Sequence, residues 1–138
     1  MREICRRASL LATTLAAVGC GDDTAVRSIT APDPVPGTLA VSFVTPFADD
    51  GAVSFGLTGA GIRNVRAAEG LELFAQPTDR GFRVAVLGTE LKGELLYFDV
   101  PDTRVAGAYR VTLIEVADHS NHLRRDSGGH DLSVAAVR

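Results

Sequence analysis

Apolar and polar residues alternate with a period of two over most of the chain from residue 38 onward. Leu39, Val41 and Phe43 fall on one side of an extended segment, with Ala40 and Ser42 between them. Val53, Phe55 and Leu57 form a second row against Ser54, Gly56 and Thr58. Phe82, Val84 and Val86 make a third row, and Leu96, Phe98 and Val100 a fourth. Val111 with Leu113, and Leu132 with Val134 and Ala136, carry the pattern on. This is the pattern of strands with one face buried. Shorter pieces at Ile62–Val65 and Leu71–Phe74 bring the count to about eight strands. Asp49-Asp50-Gly51 reads as a turn, because Asp-Gly suits a tight hairpin. Thr78-Asp79-Arg80-Gly81 reads as another, and Pro101-Asp102 stops a strand. The best helical stretch, Ile62–Ala68, spans only about two turns. Evenly spaced strands without crossover helices predict an all-β fold, a single antiparallel two-sheet sandwich over residues 38–138.

Ahead of this domain stands a different pattern. Arg2, Arg6 and Arg7 precede an apolar stretch from Ala8 to Gly19, which ends in Ala17-Val18-Gly19-Cys20. A basic start, a short apolar stretch and small residues at the cut form an export signal. The stretch is about 12 residues, whereas a membrane span needs roughly 20. The segment resembles the signal peptide and lipobox of bacterial lipoproteins, although Ala17 stands where that family prefers leucine. The resemblance implies cleavage between Gly19 and Cys20, with Cys20 as the acylated lipid-attachment residue. Each buried methylene of an acyl chain contributes about 0.8 kcal/mol, so the multiple acylation implied would hold the chain on a bilayer. The expected location is the bacterial cell envelope. Gly21, standing where an aspartate would favour the inner membrane, points to the outer one. Residues 20–37 then read as a tether, rich in Asp22, Asp23, Asp33 and the prolines Pro32, Pro34 and Pro36. Such spacing favours extended chain, and the stretch from Gly21 to Pro36 reaches about 50 Å at roughly 3.3 Å per residue.

The signal changes the charge and cysteine balance. Residues 1–19 hold three of the 14 basic and one of the 17 acidic residues, leaving 11 and 16. A mildly acidic domain is a poor match for nucleic acid, whose phosphates demand clustered Lys and Arg. Cys5 leaves with the signal and Cys20 takes lipid, so the sandwich is expected to be thiol-free, with no disulfide and no cysteine zinc site.

Residues Phe82-Arg-Val-Ala-Val-Leu-Gly, Gly93-Glu-Leu-Leu-Tyr-Phe-Asp-Val-Pro, Tyr109-Arg-Val-Thr-Leu and a terminal strand resemble the cohesin-type sandwich of bacterial surface proteins. Immunoglobulin-like sandwiches share this spacing. The resemblance implies a binding or scaffold module without catalysis. Strand alternation sets Leu95 and Tyr97 opposite Leu96 and Phe98, Leu87 opposite Val86, and Ile114 opposite Leu113. If these strands are neighbours, Leu87, Leu95, Tyr97 and Ile114 form an outer apolar patch for an envelope protein partner. Sugar sites commonly use exposed aromatic platforms. The absence of Trp and the mostly inward phenylalanines argue against carbohydrate.

Other constellations are less specific. Gly59-Ala60-Gly61-Ile62-Arg63-Asn64 resembles a dinucleotide fingerprint, but Asn64 replaces its third glycine and no βα unit follows. It reads as a glycine-rich turn. The segment 118–131 gathers His119, His122 and His130 with Asp118, Asp126 and Asp131. Imidazole and carboxylate are zinc ligands, yet the spacing fits no zinc pattern and Arg124-Arg125 opposes a cation. No Gly-x-Ser-x-Gly elbow is present. Ser127 lies near His130 and Asp131 only in sequence, and Asp49-Asp50 reads as an exposed turn. The expectation is a lipid-anchored binding module that is not an enzyme and uses no cofactor or metal. The alternative is a small envelope metal protein or hydrolase built on 118–131.

Overall fold

The computed structural model describes residues 31–126 and 128–137. The signal, Cys20, most of the tether and Ser127 lie outside the described residues. The sandwich falls within one compact unit, Pro32–Arg138.

Eight strands form two four-stranded antiparallel sheets. They are β1 (Gly37–Val44), β2 (Asp50–Thr58), β3 (Arg63–Ala67), β4 (Glu72–Thr78), β5 (Gly81–Leu87), β6 (Gly93–Val100), β7 (Arg110–Asp118) and β8 (Asp131–Ala136). One sheet has the order β3-β6-β1-β8 and the other β4-β5-β2-β7. The all-β sandwich read from alternation is therefore the observed fold. The rows Leu39–Val41–Phe43, Val53–Phe55–Leu57, Val84–Val86 and Leu96–Phe98–Val100 meet in one core. Each such side chain contributes roughly 1.5–3 kcal/mol by leaving water.

Three local expectations change. Asp49-Asp50-Gly51 does not close a hairpin, because β1 and β2 belong to different sheets. The chain crosses between the sheets there, and Asp50 and Gly51 already sit in β2. The tight hairpin is β4–β5, where Thr78 pairs with Gly81 around Asp79-Arg80. The brief helical period over Ile62–Ala68 gives way to the strand read at Ile62–Val65, which is the edge strand β3, Arg63–Ala67. The Gly59–Gly61 turn before it receives Tyr109. A Cβ on Gly59 would lie 2.3 Å from the Tyr109 ring, and the Tyr109 hydroxyl donates to the Ala60 carbonyl at 2.9 Å. This glycine pair thus serves packing.

The third change concerns parity. β6 pairs with β1 through Val41↔Leu96 and Ser42↔Glu94, which leaves Leu95 as the extra residue of a bulge. Leu95 and Leu96 are consequently both fully buried. β7 carries a matching bulge, with Ser54↔Glu115 and Phe55↔Leu113 leaving Ile114 over. A bulge of this kind shifts every later side chain to the other face.

The end of the tether is fastened. The Thr103 amide donates to the Val35 carbonyl at 2.8 Å, and Arg104 Nη2 reaches the Pro32 carbonyl at 3.2 Å. Asp102 caps the 3-10 segment Thr103–Ala108 by accepting from the Arg104 amide, and also accepts from the Val35 amide at 3.3 Å. Hydrogen bonding from the Arg104 side chain holds the Asp102 carboxyl well below the usual range.

Candidate functional site

The outer face of the β4-β5-β2-β7 sheet carries a trough that no alternation rule announces. Strand register sets Phe74, Ala85, Ser54 and Glu115 in one row across all four strands. Gln76, Arg83, Gly56 and Thr112 form the next row by the same pairings. Large side chains from the outer strands therefore flank a floor of Ala85 and Ser54, with Gly56 in the next row along. Four strands at about 4.8 Å spacing place the β4 and β7 backbones roughly 14 Å apart. The resulting cavity measures about 620 Å³ and is lined by Ser54, Phe74, Gln76, Arg83, Ala85 and Glu115 among others. A smaller hollow of about 90 Å³ continues it past Ser54 to Ala117 and Leu123.

Each wall has a local cause. β4 is an edge strand whose outward Phe74 is 60% exposed, an exception to the mostly inward phenylalanines read from the sequence. Glu115 faces the trough because the Ile114 bulge shifts β7 by one residue. Unbroken alternation from Leu113 would have turned Glu115 inward. Gly56 sits mid-strand in the sheet interior, and a Cβ there would meet nothing within 4 Å. The Ser54 hydroxyl is buried and lacks a protein hydrogen-bond partner.

The apolar patch read from the sequence does not form. Leu87 and Ile114 lie on the β4-β5-β2-β7 sheet, whereas Leu95 and Tyr97 lie on the other. Leu95 points into the core because of its bulge. Tyr97 is half-buried under Arg66, whose guanidinium stands 5.7 Å from the ring centroid, and its hydroxyl donates to Glu94 at 2.7 Å. That bond raises the Tyr97 pKa. Leu87 and Ile114 remain exposed, at 37% and 43%.

The histidines of 118–131 also separate. His122 is exposed beside Asp118, with Nδ1 3.4 Å from Oδ2. The His119 amide donates to the Asp49 carbonyl at 2.9 Å. Asp118 and Asp126 accept backbone amides within their own turns. The His130 side chain instead is fully buried, with Nε2 2.9 Å from Asp50 Oδ2 and its ring stacked on Phe43. Among the described residues, no group of three or more His, Cys, Asp or Glu is placed to hold a metal ion.

Asp50 is the residue that sequence reasoning misplaced. It is 1% exposed rather than a surface turn. Arg124 Nε donates to its Oδ1 at 2.9 Å, and the Thr45 hydroxyl and His130 share its Oδ2. Burial raises the Asp50 pKa, but the bonds from Thr45, Arg124 and His130 outweigh it and the net shift is downward. Arg124 also binds Asp49 at 2.5 Å and covers Phe47, with its guanidinium 4.6 Å from the ring centroid. These groups seal one end of the sandwich and leave no opening to the His130 ring, so they act as a clasp. The partners lie 74 and 80 residues from Asp50, beyond the reach of any local pattern.

The chain matches no family model, no curated protein and no solved structure.

Proposed function

We propose that this protein is a lipid-anchored binding module of the bacterial envelope, acylated at Cys20 and presenting the trough on its β4-β5-β2-β7 face to a ligand. The observation that carries the binding reading is Gly56. Glycine inside a strand costs roughly 0.5–1 kcal/mol, and it often marks close approach of a ligand. Here Gly56 is open above, pairs with Arg83 and lies one row along from Phe74, Ser54 and Glu115 of the trough. The cohesin-like spacing of β5, β6 and β7 supports the same class. The separated histidines give the metal alternative no support.

Two measurements test the reading. Cys20→Ser is expected to move the protein from the membrane to the soluble fraction, because the anchor is lost while the sandwich is untouched. A variant that still sediments with membranes overturns the anchor. A photo-crosslinking residue at Gln76, on the trough wall, is expected to trap an envelope component, whereas one at Thr38 on the opposite sheet is not. Equal trapping at both positions overturns the trough as the binding surface.

A further inference from the structure

We infer that the trough takes a neutral oligosaccharide, an assignment that rests on the binding-module reading above. Four features converge on this ligand class. First, β2 and β5 are paired on both sides, so the floor offers side chains and no free backbone groups. An extended peptide gains its affinity from unpaired backbone at a sheet edge, which this floor lacks.

Second, the walls hold one charge of each sign. Arg83 rises from β5 at one end of the floor and Glu115 flanks it from β7, and among the described residues neither joins an ion pair. Together they give no net pull on an ionic ligand. They do match a ring of hydroxyls, each of which donates and accepts. The Glu115 carboxylate accepts, the Arg83 guanidinium donates through its fork, and the Gln76 amide does both.

Third, the composition argues against carbohydrate because it lacks Trp and its phenylalanines lie mostly inward, but Phe74 is 60% exposed and supplies the aromatic platform. Its exposed face suits the C–H face of a pyranose, and it stands in the same register row as Ser54 and Glu115. An aromatic face with a few converging polar groups is the usual make-up of a small-molecule site, and about 620 Å³ falls within the range such sites occupy. Fourth, the small floor residues Ala85 and Ser54 let a ring settle between the walls beside the open position at Gly56, and an elongated ligand can continue towards Ala117 and Leu123.

The test uses the full chain in a detergent without a sugar headgroup. It is titrated calorimetrically with cello-, xylo-, malto-, β-1,3-gluco- and chito-oligosaccharides. At least one series is expected to bind. Phe74→Ala is expected to weaken that binding about tenfold, equivalent to about 1.4 kcal/mol. Glu115→Gln and Gly56→Val are expected to weaken it as well, with far-ultraviolet circular dichroism unchanged. Binding that ignores all three substitutions overturns the assignment. So does a panel with no binder. If the panel fails while crosslinking at Gln76 still traps a protein, the saccharide is wrong and the binding module stands. If both fail, the module reading falls too.

Discussion

At the residue scale, Asp50 is the most consequential polar group. A buried carboxylate is tolerated only when charge and hydrogen bonds satisfy it, and here Thr45, Arg124 and His130 do so. Removing one partner of a buried pair costs about 3–5 kcal/mol. Asp50→Asn should fall near the lower end, because Arg124 keeps its bond to Asp49. Urea unfolding of the variant against the native chain checks this. The pH dependence has a fixed sign. A carboxyl held below its ordinary value of 3.8 contributes stability above that pH and loses it as pH falls through the lower folded value. The native chain should therefore lose stability on acidification more steeply than Asp50→Asn. Parallel acid profiles would show that Asp50 carries no linked proton. Asp99, Asp102 and Asp118 are also shifted downward and belong to both profiles, so only the difference reports on Asp50.

At the element scale, the strands of the core were legible because burial enforces alternation. Leu39, Val41 and Phe43 lie inward as read, as do Val53, Phe55 and Leu57. The two bulges were not legible. An extra residue at Leu95 or Ile114 breaks parity without altering composition, and both positions hold ordinary β-formers. The trough depends on one of them, since Ile114 is what sets Glu115 opposite Ser54. Turn chemistry also misled at Asp49-Asp50-Gly51, where a hairpin signal marks a crossing between sheets and the acid beside it is drawn into the clasp. Gly56 was visible as an outward position, but its meaning came only from the rows on either side. Gly56→Val should raise stability by about 0.5–1 kcal/mol, because glycine weakens a strand and the added side chain enters open space. A higher urea midpoint with an unchanged slope is the expected result. A lower midpoint would mean that the position above Gly56 is already filled.

At the scale of the whole domain, the two sheets share one core and should unfold as one unit. Phe98 shows why. It lies on β6 yet packs beside Tyr109, with ring centroids 5.6 Å apart, and it belongs to the same cluster as Phe55 of the opposite sheet. Cys5 and Cys20 are the two cysteines of the chain, so no disulfide can join the sheets. The apolar interior must do so. Truncating a buried phenylalanine costs about 3–5 kcal/mol, a large part of the 5–15 kcal/mol typical of a domain. Phe98→Ala should therefore lower amide protection in β2 by as much as in β1, although β2 is in the other sheet. Native-state hydrogen exchange measures both. Equal losses are expected, because opening either sheet exposes the face on which the other depends. A loss confined to β1 and its neighbours would mean that each sheet is held by its own hydrogen bonds and that the shared core contributes little to their union.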